Sequence, residues 1–303
     1  MAVSDALTVL FRGGLSSCNY ACPYCPFAKR KESRAELDVD RRTLARFVAW
    51  VGARAEPTAV FFTPWGEALV RTWYREAIAE LSRMPTVARV AIQTNLHAPL
   101  RFLDQARPDK IGLWCTYHPG QVSRGRFLGQ CERLEDYSVD YSVGVVGLRA
   151  HIDEIEALRT NLPPSRYLWV NAYKRDPSYY SVDELERLAR IDPFFALNNQ
   201  RHPSRGHACR TGHSVISVDA AGDARRCHFV PEVIGNIYDP RFARALRPRR
   251  CPNETCSCHI GYVHMERLGL YDVYGDGLLE RIPTLGAASQ LPSAPRHLPI
   301  VRA

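Results

Sequence analysis

The segment Leu7-Thr8-Val9-Leu10-Phe11-Arg12-Gly13-Gly14-Leu15-Ser16-Ser17-Cys18-Asn19-Tyr20-Ala21-Cys22-Pro23-Tyr24-Cys25 sets a run of strand length against a loop that carries three cysteines. Leu7–Phe11 reads as a β-strand. Gly13 and Gly14 precede the cysteine loop and Pro23 lies within it, so the three thiolates can converge on one point. That arrangement suits an iron–sulfur cubane, in which each iron takes one thiolate and a three-cysteine loop leaves the fourth iron open. An open iron, like the open position on a catalytic zinc, is a place for a cofactor or substrate. Structural zinc is the competing reading, but C-x3-C-x2-C is an unusual spacing for it and no fourth ligand stands close by.

Outward from this loop, short β-rich runs alternate with longer apolar-periodic ones. Strands are predicted at 7–11, 58–62, 89–93, 110–116, 140–146 and 167–171, with helices at 41–51, 68–82, 124–134, 152–159 and 181–190. The last helix opens on Ser181 followed by Asp183-Glu184, as a helix start should. This is the pattern of an α/β chain whose parallel sheet is joined by crossover helices, a partial (β/α)6 barrel. In such folds ligands sit at the carboxyl ends of the strands, so the residues just after each strand are the candidates for chemistry.

The chain has 303 residues, 46% of them hydrophobic, enough for one large domain and a smaller appendage. The apolar stretch before Arg12 is too brief for a signal segment or a membrane span, so a cytoplasmic protein is expected. The formal charge is +8, but acidic residues are interleaved with the basic ones. Without a dense basic block the reading is a basic enzyme rather than a nucleic-acid binder. Ten cysteines without an export signal point to metal or catalysis rather than to disulfides.

The cysteine loop with Tyr24 before its third cysteine, placed after the first strand of a βα series, resembles the radical S-adenosylmethionine (SAM) superfamily. The resemblance implies a [4Fe-4S] cluster on Cys18, Cys22 and Cys25 whose open iron chelates SAM, giving a 5′-deoxyadenosyl radical that removes a hydrogen atom from substrate. Further motifs extend it. Thr63-Pro64-Trp65-Gly66-Glu67 after the second strand resembles the glycine–glutamate motif that binds the SAM amino group, with Trp65 in place of the first glycine. Gln93, Thr94 and Asn95 end the third strand, where similar enzymes hold the ribose or carboxylate of SAM. Gly144-Val145-Val146-Gly147 resembles the segment that lies along adenine, so Tyr24 and Val145 join the cofactor-binding set.

After Pro203 cysteine and histidine become dense. Ser214–Val218 and Asp219-Ala220-Ala221-Gly222-Asp223 read as a β-hairpin that would bring Cys209 and Cys227 together. The C-x12-G-x4-C spacing with later cysteines resembles the twitch form of the SPASM extension. This implies an auxiliary [4Fe-4S] cluster on Cys209, Cys227 and Cys256, with a fourth thiolate from Cys258 or Cys251. A structural zinc on these residues is the alternative, with His228, His259 and His264 as further donors. The expected organisation is therefore a barrel over 1–200, a twitch-like domain over 201–285 and a flexible tail over 286–303.

Cys115 ends the fourth strand. Turned inward, it would hand a hydrogen atom to a carbon radical and make the enzyme a redox-neutral epimerase. His118 is the candidate base, since imidazole titrates near neutrality; Tyr117, Asn171, Tyr173 and Lys174 are further candidate contacts. A radical dehydrogenase is the competing reaction, with the auxiliary cluster taking the electron. Similar enzymes with a compact twitch domain act on aminoglycoside sugars, which implies a carbohydrate-containing substrate of the kind met in antibiotic biosynthesis, and an electron donor such as flavodoxin or ferredoxin. Peptide modification is a second reading, for which a leader-binding domain before the first strand is expected and not found. A non-catalytic iron–sulfur protein is a third, which leaves the SAM-type strand ends unexplained.

Overall fold

The computed structural model describes residues 2–27 and 30–284, and the tail expected over 286–303 lies outside them. All six expected strands are present: β1 Leu7–Arg12, β2 Thr58–Phe62, β3 Val87–Thr94, β4 Ile111–Tyr117, β5 Asp140–Gly147 and β6 Leu168–Ala172. They pair in parallel in chain order, with registers such as Val9 to Val60 and Cys115 to Val143. Between them run α1 Arg34–Gly52, α2 Thr72–Arg83, α3 Arg124–Asp136, α4 Ile152–Asn161 and α5 Val182–Ile191.

Two boundaries moved for local reasons. Helix α1 starts seven residues before the expected Arg41, because Ser33 and Glu36 form a reciprocal capping box there. The helix expected over 68–82 is split: the Glu67 side chain caps a short 3-10 turn over Ala68–Val70, and Arg71, with extended backbone, then begins α2. Ser181 does cap α5, again with a capping box.

Strand alternation sorts the side chains onto two faces. Val9, Phe11, Val60, Phe62, Ile92, Leu113, Cys115, Val143, Val145 and Val170 pack outward against Leu44, Phe47, Ile78, Phe127, Cys131 and Ile155 of the helices. Leu10, Ala59, Phe61, Ala91, Trp114 and Trp169 face inward and meet Tyr262, Tyr274 and Leu278 from the end of the chain. Two inward glycines explain how that space is filled. A Cβ on Gly144 would lie 1.9 Å from the Trp169 ring, and one on Gly112 would lie 2.5 Å from the Glu280 carboxyl carbon.

Beyond β6 come β7 His202–Pro203, β8 Val215–Asp219, β9 Asp223–Arg225, β10 Val233–Asn236 and β11 Thr255–Cys256. The expected hairpin is β8 and β9, turning at Gly222, whose φ of +88° is a conformation glycine adopts without strain. Strand β8 then pairs in parallel with β1, Thr8 opposite Val215. The sheet of described residues therefore has nine strands, ordered β10-β9-β8-β1-β2-β3-β4-β5-β6, and the cysteine-rich segment is built onto the barrel edge beside the first cysteine loop. The barrel floor is closed from far along the chain. The buried Glu280 pairs with Arg89 of β3, and Ser142 of β5 donates its hydroxyl to the Glu280 carbonyl.

Candidate active site

At the carboxyl ends of the strands a cavity of about 390 Å³ is lined by Cys18, Cys22 and Cys25 together with Gly66, Glu67, Gln93, Thr94 and Asn95. The loop after β1 owes its shape to contacts the sequence did not announce. Glu32 accepts hydrogen bonds from the Ser16 amide (2.5 Å), the Ser17 amide (2.8 Å) and the Ser16 hydroxyl (2.9 Å). Burial would raise this carboxyl, but the serine bonds hold it down at about 2, so it is a fixed anion that ties the turn before Cys18.

Gly66 is required sterically. A Cβ there would sit 1.7 Å from the Ser17 carbonyl oxygen, the same oxygen that accepts the Glu67 amide at 3.0 Å. The loop after β2 is thereby clamped to the residue before Cys18. Glu67 is buried and accepts from the Leu69 amide (3.1 Å), the Thr94 hydroxyl (2.8 Å) and the Asn95 amide (2.5 Å). Burial pushes its carboxyl up to about 7 in spite of these bonds. A carboxylate held so close to neutrality is poised to take a cationic ligand, whose charge would favour ionisation. Asn95 Nδ2 reaches Asn19 (2.9 Å) and the Cys18 sulfur (3.8 Å), joining the third strand to the cysteine loop.

Two expectations are corrected by strand parity. Cys115 does not face the cavity. It is fully buried on the outer face, where burial and the nearby Cys131 thiol push its own thiol well up; its neighbours Trp114 and Thr116 are the inward residues. Val145 likewise packs outward, and Val146 lines the cavity. Tyr24 is not on the cavity wall: it stacks with His118 at 6.2 Å between centroids. His118 does line the cavity, but its Nδ1 is engaged by the Tyr24 hydroxyl (2.9 Å) and the Cys22 sulfur (3.4 Å), and burial pulls it down to about 4. It buttresses the cysteine loop rather than standing free as a base. Among the other candidate contacts Asn171 lines the cavity, whereas Tyr117 is bonded to Glu154 in the outer core. Lys174 donates to the Asn198 and Ser257 carbonyls, and Tyr173 packs on Tyr179.

The second cysteine group divides. Cys209, Cys227, Cys251 and Cys256 line one small enclosed cavity of about 20 Å³, walled also by Phe229 and Gly261. Gly261 is needed because a Cβ would lie 2.6 Å from the Cys256 sulfur, and Thr211 donates to the Cys209 sulfur at 3.2 Å. Cys258 is elsewhere: it lines the large cavity, so of the two alternatives for a fourth thiolate only Cys251 shares the small cavity with Cys209, Cys227 and Cys256. Of the candidate histidines, His228 bridges Thr63 (2.7 Å) and Ser217 (2.6 Å), His264 bonds Tyr271, and neither lines the small cavity. Among the described residues no three His, Cys, Asp or Glu groups converge as ligands of a single metal ion. The thiols of each group nevertheless line a common space, and soft thiolate donors are the kind that iron–sulfur clusters use.

Residues with no signal in the sequence also line the large cavity: Arg12 over the Trp65 ring at 4.0 Å, Tyr20, Trp114, Trp169 and Arg281; the remaining candidate histidine, His259, lines it too. No helix of the described residues is long and apolar enough to cross a membrane.

An incomplete parallel barrel whose first loop carries three cysteines into the cavity at its carboxyl end is a recognisable class of fold. No protein-family model matches the chain, and no curated protein matches it. Solved structures do. Native anSMEcpe with bound AdoMet and Kp18Cys peptide superposes with a TM-score of 0.53 at 12% identity, covering 80% of this chain and 81% of that one. Hexahistidine-tagged anSMEcpe with bound AdoMet gives 0.53 at 14% identity over the same shares of 80% and 81%. The chain has the radical SAM fold.

Proposed function

We propose that this chain is a radical SAM enzyme with two [4Fe-4S] clusters, acting on a carbinol carbon of a small, carbohydrate-containing molecule. The observation that carries the reading is that Cys18, Cys22, Cys25, Gly66, Glu67, Gln93, Thr94 and Asn95, brought from separate loops and strand ends, line a single cavity. Cys18, Cys22 and Cys25 would hold the first cluster, and Cys209, Cys227, Cys251 and Cys256 the second, within the segment 201–285. When bound, the first cluster and SAM supply a hydrogen-abstracting radical. Glu67 would take the SAM ammonium, Gln93, Thr94 and Asn95 its polar parts, and Val146 the adenine face. An external one-electron donor of the flavodoxin or ferredoxin kind is required.

For the reaction itself we favour redox-neutral epimerisation, with Cys258 in the part first assigned to Cys115. Its support is position: Cys258 is the one cysteine of the second group that faces the large cavity. Its S–H bond would break to give the substrate carbon a hydrogen atom, and the sulfur radical left behind would regain one electron from the external donor and one proton from solvent. The sugar-bearing substrate class rests on the resemblance to compact twitch enzymes. Dehydrogenation, with the second cluster as electron acceptor, makes the opposite prediction for Cys258. Peptide modification is the second reading that an observation favours, since anSMEcpe is seen with a cysteine-containing peptide bound.

The test is turnover of candidate sugars and peptides in deuterated water. Epimerisation places one solvent deuterium at the inverted carbon, and Cys258→Ser stops product formation while 5′-deoxyadenosine still accumulates. A two-electron oxidised product that survives Cys258→Ser would overturn epimerisation in favour of dehydrogenation.

A further inference from the structure

The floor of the large cavity gathers donors that have nothing to bond. Arg281 is 1% exposed, yet Nε, Nη1 and Nη2 are all without a hydrogen-bond partner. Trp114 Nε1 and His259 Nε2, on side chains each 4% exposed, are also unpartnered. All three residues line the cavity. They are close together: the Arg281 guanidinium lies 5.6 Å from the Trp114 ring and 4.7 Å from the Trp169 ring, and the Trp114 and His259 rings are 5.4 Å apart.

The surrounding acids do not satisfy Arg281. Glu280, its neighbour in sequence, is taken by Arg89. Asp192 accepts from the Tyr167 hydroxyl and from the Val170 and Phe194 amides, at 2.7, 2.8 and 2.9 Å. The Tyr274 hydroxyl approaches Arg281 without completing a hydrogen bond. Asp192 and the rings of Trp114 and Trp169 lend Arg281 electrostatic support, but none of its nitrogens has a hydrogen-bond acceptor; buried polar groups are almost always hydrogen-bonded, so a side chain kept in this state implies a missing acceptor.

The counterpart must accept hydrogen bonds only. Arginine and the tryptophan indole are donors without acceptor capacity. The histidine tautomer follows from its neighbours. Asn198 donates to the Tyr262 oxygen at 3.0 Å, which leaves the Tyr262 proton free for His259 Nδ1 at 3.3 Å and puts the ring hydrogen on Nε2. Every orphaned nitrogen is then a donor, and one of the three groups is a planar cationic fork matched to an oxyanion.

We propose that Arg281, Trp114 and His259 form an oxyanion receptor on the cavity floor, and that the substrate carries a carboxylate or phosphate group seated there. The substrate is thereby anchored by its charged end with its reacting carbon toward the cysteine loop. This rests on reading the cavity as the site of SAM and substrate, but its test does not depend on SAM cleavage.

The experiment is thermal melting of the reconstituted, SAM-bound protein in malonate, inorganic phosphate or chloride at matched ionic strength. Wild type should show a saturable rise in Tm with malonate or phosphate and none with chloride; the stronger of the two identifies a carboxylate or a phosphoryl group. Arg281→Met should weaken that response at least about tenfold. Trp114→Phe, which keeps the ring packing and deletes one donor, should weaken the response as well. Absence of an anion-specific shift in wild type, or a full shift in Arg281→Met, would overturn the proposal. A shift seen only without SAM would give the receptor to the SAM carboxylate and overturn its assignment to substrate.

Discussion

Replacing Gly66 by Ala tests how the cysteine loop is held. The added Cβ would lie 1.7 Å from the Ser17 carbonyl oxygen and 2.4 Å from its carbon, against an ordinary contact of at least 3.4 Å. Both contacts are backbone, so relief cannot come from a side-chain rotation and the two loops must part by roughly 1.7 Å to regain van der Waals distance. The Glu67 amide bond to Ser17 would be lost with that movement. Overpacking of this kind costs about 1–3 kcal/mol, a fall in Tm of several degrees that leaves the fold intact. The functional effect should be much larger, because a displacement of about 1 Å between reacting groups costs about a hundredfold in rate. Anaerobic reconstitution followed by dithionite-driven SAM cleavage, with Tm measured in parallel, separates the two effects. A Gly66→Ala protein that cleaved SAM at the wild-type rate would show that the contact between these loops does not position the cofactor.

Glu67 predicts a pH dependence. Its carboxyl is raised from the ordinary 4.5 to about 7 by burial, so below that pH it is protonated and offers a SAM ammonium no charge. SAM affinity in wild type should therefore rise about tenfold between about pH 6 and about pH 8, and in Glu67→Gln it should be weaker and flat; a flat wild-type profile by equilibrium dialysis would remove Glu67 from SAM binding. Cys251→Ala and Cys227→Ala should both lower iron content, whereas Cys258→Ser should leave the iron count of reconstituted protein unchanged, and the reverse result would restore Cys258 as the ligand. Glu280→Ala removes one of the two carboxylates paired with Arg89, the other being Asp140, and should destabilise by about 1.5–3 kcal/mol in chemical unfolding; a loss below about 0.5 kcal/mol would mean the floor of the barrel is not held by that pair.

Much of the barrel was legible because its strands carry their information locally. Short apolar runs ended by loops, alternating with apolar-periodic helices such as the one opened by Ser181, specify a parallel sheet with little reference to the rest of the chain. The cysteine spacing was legible for the same reason. Which face each strand residue takes was harder, since a shift of one position reverses it, and Cys115 and Val145 were both assigned one position away from the inward residues Trp114 or Thr116 and Val146. The division of the second cysteine group also needed three dimensions, because Cys256 and Cys258 lie two apart in sequence yet line different cavities. Least legible was the floor. Glu280 and Arg281 meet residues as distant as Arg89, 191 positions away, through contacts for which the run Leu279-Glu280-Arg281 has no periodic or motif signature.

The central claim is tested most directly by counting iron and sulfide in anaerobically reconstituted protein, wild type against a Cys18→Ala, Cys22→Ala, Cys25→Ala triple variant, followed by SAM cleavage under dithionite. The account predicts about eight irons falling to about four, with cleavage abolished in the variant. About four irons in wild type, or cleavage that survives the triple substitution, would contradict it.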